Sequence, residues 1–239
     1  MNTIKLFLKN LILVLAAMTI VSAQQSVWLK LEKGEALVLN PVTGGWQPAM
    51  ERTESPRRTF ILSKENSAVK VFVATDIYTI GGNCYVFIDD VISKSRSQLV
   101  AELTRIEVEQ LPNSDQRSDS LHSIGVGLTY GKQTQAAAAG GEIPFKTQRI
   151  NAVNAFIDAG RNDAAVLTLK RMLARYPSLY FERPVVEQLF GLYERLELNG
   201  FLFDESTRLM ALVNNEDYSR VLKEWNTTAK NRLMQTKNK

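Results

Sequence analysis

Apolar and polar positions alternate early in the chain. Val27, Leu29 and Leu31 alternate with Trp28 and Lys30, the two-residue period of a strand with one buried face. Short apolar runs follow at residues 36–39, 60–62, 69–73, 77–80 and 85–88, separated by Lys33-Gly34, Gly44-Gly45 and Gly81-Gly82-Asn83. The Gly44-Gly45 pair suits a tight hairpin with positive φ. Six or seven short strands at this spacing predict a small antiparallel β barrel or sandwich over 25–110. Pro48 and Pro56 belong at edges or in loops, because proline has no N–H to give to a ladder.

Residues 91–111 fit two periods. Leu99, Leu103 and Ile106 have helical spacing, while Ile106, Val108 and Gln110 would share one strand face with Glu107 and Glu109 on the other. A helix is favoured. Residues 112–147 read as a linker: polar over 112–120, small over 136–141, with one candidate strand at 124–130.

The period is helical from 148 to 235. Ala152, Val153, Phe156 and Ala159 form one face, and Ala165, Leu169, Met172, Leu173 and Tyr176 the next. Gly160-Arg161-Asn162 joins these two helices, and Pro177 ends the second. Pro184 opens a third, with Val186, Leu189, Phe190, Tyr193 and Leu196 inside and Asn199-Gly200 as its stop. Asp204 is placed to cap a fourth helix ending near Val213. Asn215 is placed to cap a fifth, with Tyr218, Val221, Leu222 and Trp225 on its inner face. The fold class is therefore α+β: an antiparallel barrel or sandwich, then an all-α helical-hairpin domain.

The first 23 residues follow neither pattern. Lys5 and Lys9 are the only charges before Gln24, residues 11–21 are apolar, and Val21-Ser22-Ala23 has the small residues a signal peptidase reads. This is a signal peptide over 1–23, cleaved after Ala23, and it predicts a periplasmic or secreted protein. An uncleaved anchor helix is the alternative, but the run is short for a membrane span, so no stable span is expected after cleavage. No cysteine stands at the cleavage point, so a bacterial lipid anchor is not expected.

Composition adds limits. Of 239 residues, 45% are hydrophobic and 23% charged, which excludes disordered, collagen-like and disulfide-dense classes. Without the leader the chain carries 27 basic and 25 acidic residues, a net charge of +2. That gives little general attraction for nucleic acid. Lys230, Arg232, Lys237 and Lys239 read as a solvated helix end. Cys84 is alone and lies in an apolar run, so it forms no intrachain disulfide and reads as a buried, inert thiol.

Candidate chemistry is sparse. His122 is the single histidine, and Asp119 and Ser120 beside it are too local for a triad, whose members converge from separate segments. One histidine and one cysteine make no zinc set. Gly125 to Lys132 suggests a phosphate loop, but Val126 stands where glycine is needed and Gln133 where Ser or Thr is needed. Asp89-Asp90 could serve acid–base chemistry, while a calcium loop is interrupted by Val91-Ile92. Asn226-Thr227-Thr228 and Asp119-Ser120-Leu121 fit short glycosylation patterns. No catalytic, cofactor-binding or metal residue is assigned, and no cofactor is expected.

The helix pair carrying Val153, Phe156, Gly160, Ala165, Leu169, Met172 and Pro177 resembles a tetratricopeptide repeat. Arg149 stands where that repeat has an aromatic residue, and Met172 where it has alanine. Gly44-Gly45-Trp46-Gln47-Pro48, after the Lys33-Gly34 turn, is similar to the small extracytoplasmic domains of FecR-like proteins. The tetratricopeptide resemblance implies a concave surface for a protein or peptide partner. The expectation is an exported, non-catalytic binding or scaffold protein of the cell envelope, its oligomeric state open. The alternatives are an envelope hydrolase using Asp89 and Asp90 on cell-wall or surface polymers, and a self-associating structural component.

Overall fold

The computed structural model describes residues 27–40, 43–110 and 143–237. The leader with its cleavage site, the 124–130 strand, and Asp119, Ser120 and His122 lie outside the described residues.

Eight short strands form the first part: β1 (Val27–Lys33), β2 (Ala36–Leu39), β3 (Trp46–Pro48), β4 (Thr53–Ser55), β5 (Phe60–Ser63), β6 (Ala68–Val73), β7 (Asp76–Ile80) and β8 (Tyr85–Phe87). They make two four-stranded sheets, ordered β4-β1-β6-β7 and β3-β2-β5-β8, with every pairing antiparallel. The two sheets do not join, so of the two expected shapes this is the open sandwich and not a closed barrel. Consecutive strands lie in opposite sheets at every step except β2–β3 and β6–β7. Gly34, at φ +75°, makes the first crossing. A Cβ there would stand 2.5 Å from Ser67 Oγ and 2.8 Å from Ser67 Cα, so only glycine fits.

Alternation sets the faces. Val27, Leu29, Val69 and Val71 of the first sheet and Val38, Ile61 and Val86 of the second are buried in one hydrophobic cluster. Pro48 lies on edge strand β3 and Pro56 just beyond edge strand β4, where a missing N–H costs no ladder bond. The Gly44-Gly45 hairpin joins β2 to β3 with Gly44 at φ +68°, but the loop spans 40–45 and is longer than a two-residue turn.

Among the described residues seven helices follow: α1 (Ile88–Val91), α2 (Arg96–Gln110), α3 (Lys146–Asp158), α4 (Asn162–Arg175), α5 (Arg183–Arg195), α6 (Asn199–Met210) and α7 (Glu216–Lys237). A 3₁₀ turn at Pro177–Phe181 separates α4 from α5. Residues 96–110 are helical, with Leu99, Leu103 and Ile106 buried and Val108 59% exposed, which settles the two-period ambiguity. The helix α3 starts inside the stretch read as linker.

At the end of α3, Gly160 is left-handed, with its N–H on Ile157 O and that of Arg161 on Phe156 O, a Schellman stop. The α5 stop differs from expectation. Glu197 takes the left-handed position at φ +54°, with its N–H on Glu194 O and that of Leu198 on Tyr193 O, and Asn199-Gly200 begins α6 instead. A Schellman stop needs a left-handed residue more than it needs glycine. Asp204 accordingly sits inside α6 rather than capping it. Asn215 does cap α7, its Oδ1 accepting from Tyr218 N at 2.9 Å.

The helices form two layers. In one, α3 meets α5 through Gln188 Nε2 donating to Asn154 Oδ1 at 2.7 Å, and α5 meets α7 through Phe190 and Trp225 at 5.8 Å. In the other, α2, α4 and α6 are joined by ion pairs described below. Helix α4 is surrounded, and residues 164–170 are buried without a break. The sandwich and the helices share one hydrophobic cluster.

Candidate binding surface

Side chains on the outer face of the β3-β2-β5-β8 sheet alternate away from the sandwich core. Phe60, Tyr85 and Phe87 project from it, and the chain entering α3 places Phe145 against them. Phe145 stacks on Tyr85 at 5.1 Å, and Trp46 meets both rings edge-on at 6.0 and 6.1 Å. This aromatic layer is the seam between sheet and helices. Arg149 lies over Tyr85 at 4.0 Å and Arg171 over Phe87 at 4.6 Å.

Asp89 and Asp90, the carboxylate pair noted in the sequence, are not equivalent. Asp90 is 0% exposed and accepts two-pronged hydrogen bonds from Arg171, 3.1 Å at Nε and 3.0 Å at Nη2. Asp89 is half-buried, 3.2 Å from Arg57 and 3.6 Å from Lys94. Both carboxylates are engaged by cations. Arg171 also reaches Glu102 at 2.6 Å, so one guanidinium of α4 holds α1 and α2 together. Burial works against its charge, but Asp90 and then Glu102 raise its pKa overall. A second buried network lies further along α4. Lys170 is paired with Glu205 of α6, and with Glu107 of α2 at 2.9 Å; Arg208 also pairs with Glu205. Sequence reasoning missed Lys170, Arg171, Glu102 and Glu205. The available signal was that Lys170 closes a run of apolar residues too long for one helix face.

Glu102 carries a pH dependence. The Arg105 hydrogen bond, opposed by burial and reinforced by Arg171, holds its carboxyl at about 2. Between the ordinary glutamate range and about 2, the unfolded chain binds a proton here that the folded chain does not. Falling pH therefore draws the protein toward unfolding. Replacing Glu102 with Gln is expected to cost about 1–2 kcal/mol near neutrality, a figure discounted for water screening the exposed Arg105 side. In urea titrations, the gap between wild type and variant narrows as pH is lowered from about 5 to about 2.

Among the described residues, three depressions bear on binding. An apolar crevice of about 210 Å³ runs between edge strand β7 and α3, walled by Ala152, Ala155 and Ala159 with Cys84 among its lining. Burial pushes the Cys84 thiol up to about 11 despite a hydrogen bond with Ser63, so it stays a thiol at neutral pH. A polar cleft of about 780 Å³ lies among Arg96, Glu194, Asn199 and Arg232. Arg232, read from sequence as part of a solvated tail, pairs there with Glu194. Asn226, in the glycosylation pattern, donates through Nδ2 to Ser206 Oγ and Thr207 Oγ1 and ties α7 to α6.

The third depression is a groove of about 480 Å³ between α3 and α5, lined by Asn154, Ile157, Asp158, Glu187, Gln188, Gly191 and Arg195. The sandwich packs on a different face of α3, through Ala152 and Phe156 and through Asn151 Nδ2 donating to Asn83 O at 3.1 Å. The sandwich therefore does not cover the groove. At Gly191 an added Cβ would meet nothing within 4 Å.

Among the described residues no group of three or more His, Cys, Asp or Glu is placed to hold a metal, and no helix is long and apolar enough to cross a membrane. No family model matches the chain, and no match was found among curated proteins or solved structures.

Proposed function

We propose that this chain is an exported, non-catalytic binding protein of the cell envelope that holds a segment of a protein partner in the groove between α3 and α5. The observation that carries this reading is the groove itself. It lies along two parallel-layer helices, presents amide and charged side chains of both signs, and is not covered by the sandwich. Asn154, Gln188, Glu187 and Arg195 supply donors and acceptors for a peptide backbone and its polar side chains. The tetratricopeptide resemblance of α3 and α4 supports the same use, since stacked helix pairs form extended recognition surfaces. The leader over 1–23 supplies the expected compartment.

Gly191 gives the test. A tryptophan there starts in open space, since its Cβ meets no heavy atom within 4 Å, and its ring is expected to occupy the groove. Mature wild type and Gly191→Trp are immobilised side by side and exposed to envelope extract. A partner retained by wild type is expected to lose at least about tenfold in affinity for the variant, roughly 1.4 kcal/mol. Thermal unfolding of the two proteins should stay similar. A wild-type column that retains nothing, or a variant that keeps the same partner undiminished, overturns the reading.

A further inference from the structure

On the opposite side of α3 from that groove, one buried cation has no counter-charge among the described residues. Arg149 is 9% exposed. Among the described residues its one hydrogen bond is weak: Nε donates to Pro144 O at 3.3 Å. No carboxylate among the described residues pairs with it, whereas the buried Lys170 and Arg171 each hold two. The guanidinium lies between two rings, Tyr85 at 4.0 Å and Tyr176 at 5.5 Å. Cation–π attraction offsets part of the burial cost, but among the described residues it leaves the Nη groups facing no protein acceptor.

Three neighbours point the same way. Tyr176 is fully buried and its hydroxyl has no hydrogen-bond partner among the described residues. Arg175 brings a second guanidinium to the same ring at 5.9 Å. The helix α3 begins at Lys146 with no acidic residue in its first turn and no side chain capping it, so its positive end is uncompensated where Arg149 sits. Lys146 is nearby but is neutralised by Glu182 at 2.7 Å. The surrounding wall of Trp46, Tyr85 and Phe145 is aromatic.

We propose that Arg149 receives a carboxylate carried on an apolar or aromatic group. Its planar fork fits the two oxygens of a carboxylate side by side, and the aromatic wall accepts the group behind it. The shared chemistry admits two sources, a small aromatic acid or the C-terminus of a peptide. This site is separate from the α3–α5 groove and stands or falls independently of it.

Calorimetric titration of the mature protein with benzoate tests the proposal, with chloride as the control anion. A second arm uses a short peptide ending in phenylalanine, with its terminus free or amidated. Saturable benzoate binding is expected, with a change in tryptophan fluorescence from Trp46. Arg149→Gln is expected to weaken it at least about tenfold, and Arg149→Lys to weaken it as well by losing the fork. Binding of the free but not the amidated peptide identifies a peptide terminus as the source, and benzoate alone identifies a small acid. The proposal is overturned if wild type binds neither better than chloride, or if a folded Arg149→Gln binds as wild type does. Should that variant fail to fold, the wild-type titration decides by itself.

Discussion

Replacing Asp90 with alanine is expected to cost about 3–5 kcal/mol of folding stability, the range for breaking a buried ion pair from one side. Urea or thermal unfolding reads it directly. The carboxylate is fully buried and takes both Nε and Nη2 of Arg171. Without it, Arg171 keeps only Glu102 while still lying against Phe87. The damage falls on the join between sandwich and helices, because Asp90 leaves the last strand on α1 and Arg171 belongs to α4. The same change at Asp89 is expected to cost below about 1 kcal/mol, since that carboxylate is partly in water. Removing both charges together, as Asp90→Leu with Arg171→Met, should recover most of the loss, because the penalty comes from the stranded partner. An Asp90→Ala protein as stable as Asp89→Ala would show that this pair does not cement the seam.

The contrast between two adjacent aspartates marks what the sequence could and could not say. Alternation made β1 and β6 legible, because one face of each meets the sandwich core and the other does not. It could not distinguish a barrel from two open sheets, since alternation reports faces and not closure. Strand β4, Thr53–Ser55, was invisible: three polar residues on an edge carry no hydrophobic signal. The helix faces of α3 and α4 were legible from their periods. The α5 stop was misplaced because Glu197, a residue with no preference for positive φ, takes the left-handed position. The groove was foreseeable only as a consequence of paired helices, and its lining was not, because polar positions on a helix surface look alike until a neighbouring helix picks some of them out. Arg149 was noticed as a departure from an aromatic position, yet its place between Tyr85 and Tyr176 depends on a distant strand and helix.

Lys170→Met should also cost about 3–5 kcal/mol near neutral pH, and here the pH dependence of the loss reveals its cause. Lys170 is 1% exposed and Glu205 3%. Burial by itself would raise the Glu205 pKa, and it is the charges of Lys170 and Arg208 that bring it below the ordinary value. Tyr193 and Tyr180 surround the pair with phenols whose own pKa values are pushed up, first by burial and then by the Glu205 charge. Taking Lys170 away leaves Glu205 with Arg208 alone, whose side chain is about half in water. Burial then dominates and the folded-state pKa rises above the unfolded one. The folded variant now binds the extra proton, so its stability increases as pH falls through the carboxylate range, opposite to the wild-type contribution of this group. Unfolding measured at about pH 7 and about pH 4.5 should therefore show the deficit shrinking on acidification. Lys170→Met with Glu205→Leu should be closer to wild type and lose that trend. A deficit that stays constant with pH would mean the lysine acts through its packed methylene stem against α2 and α6, and not through its charge.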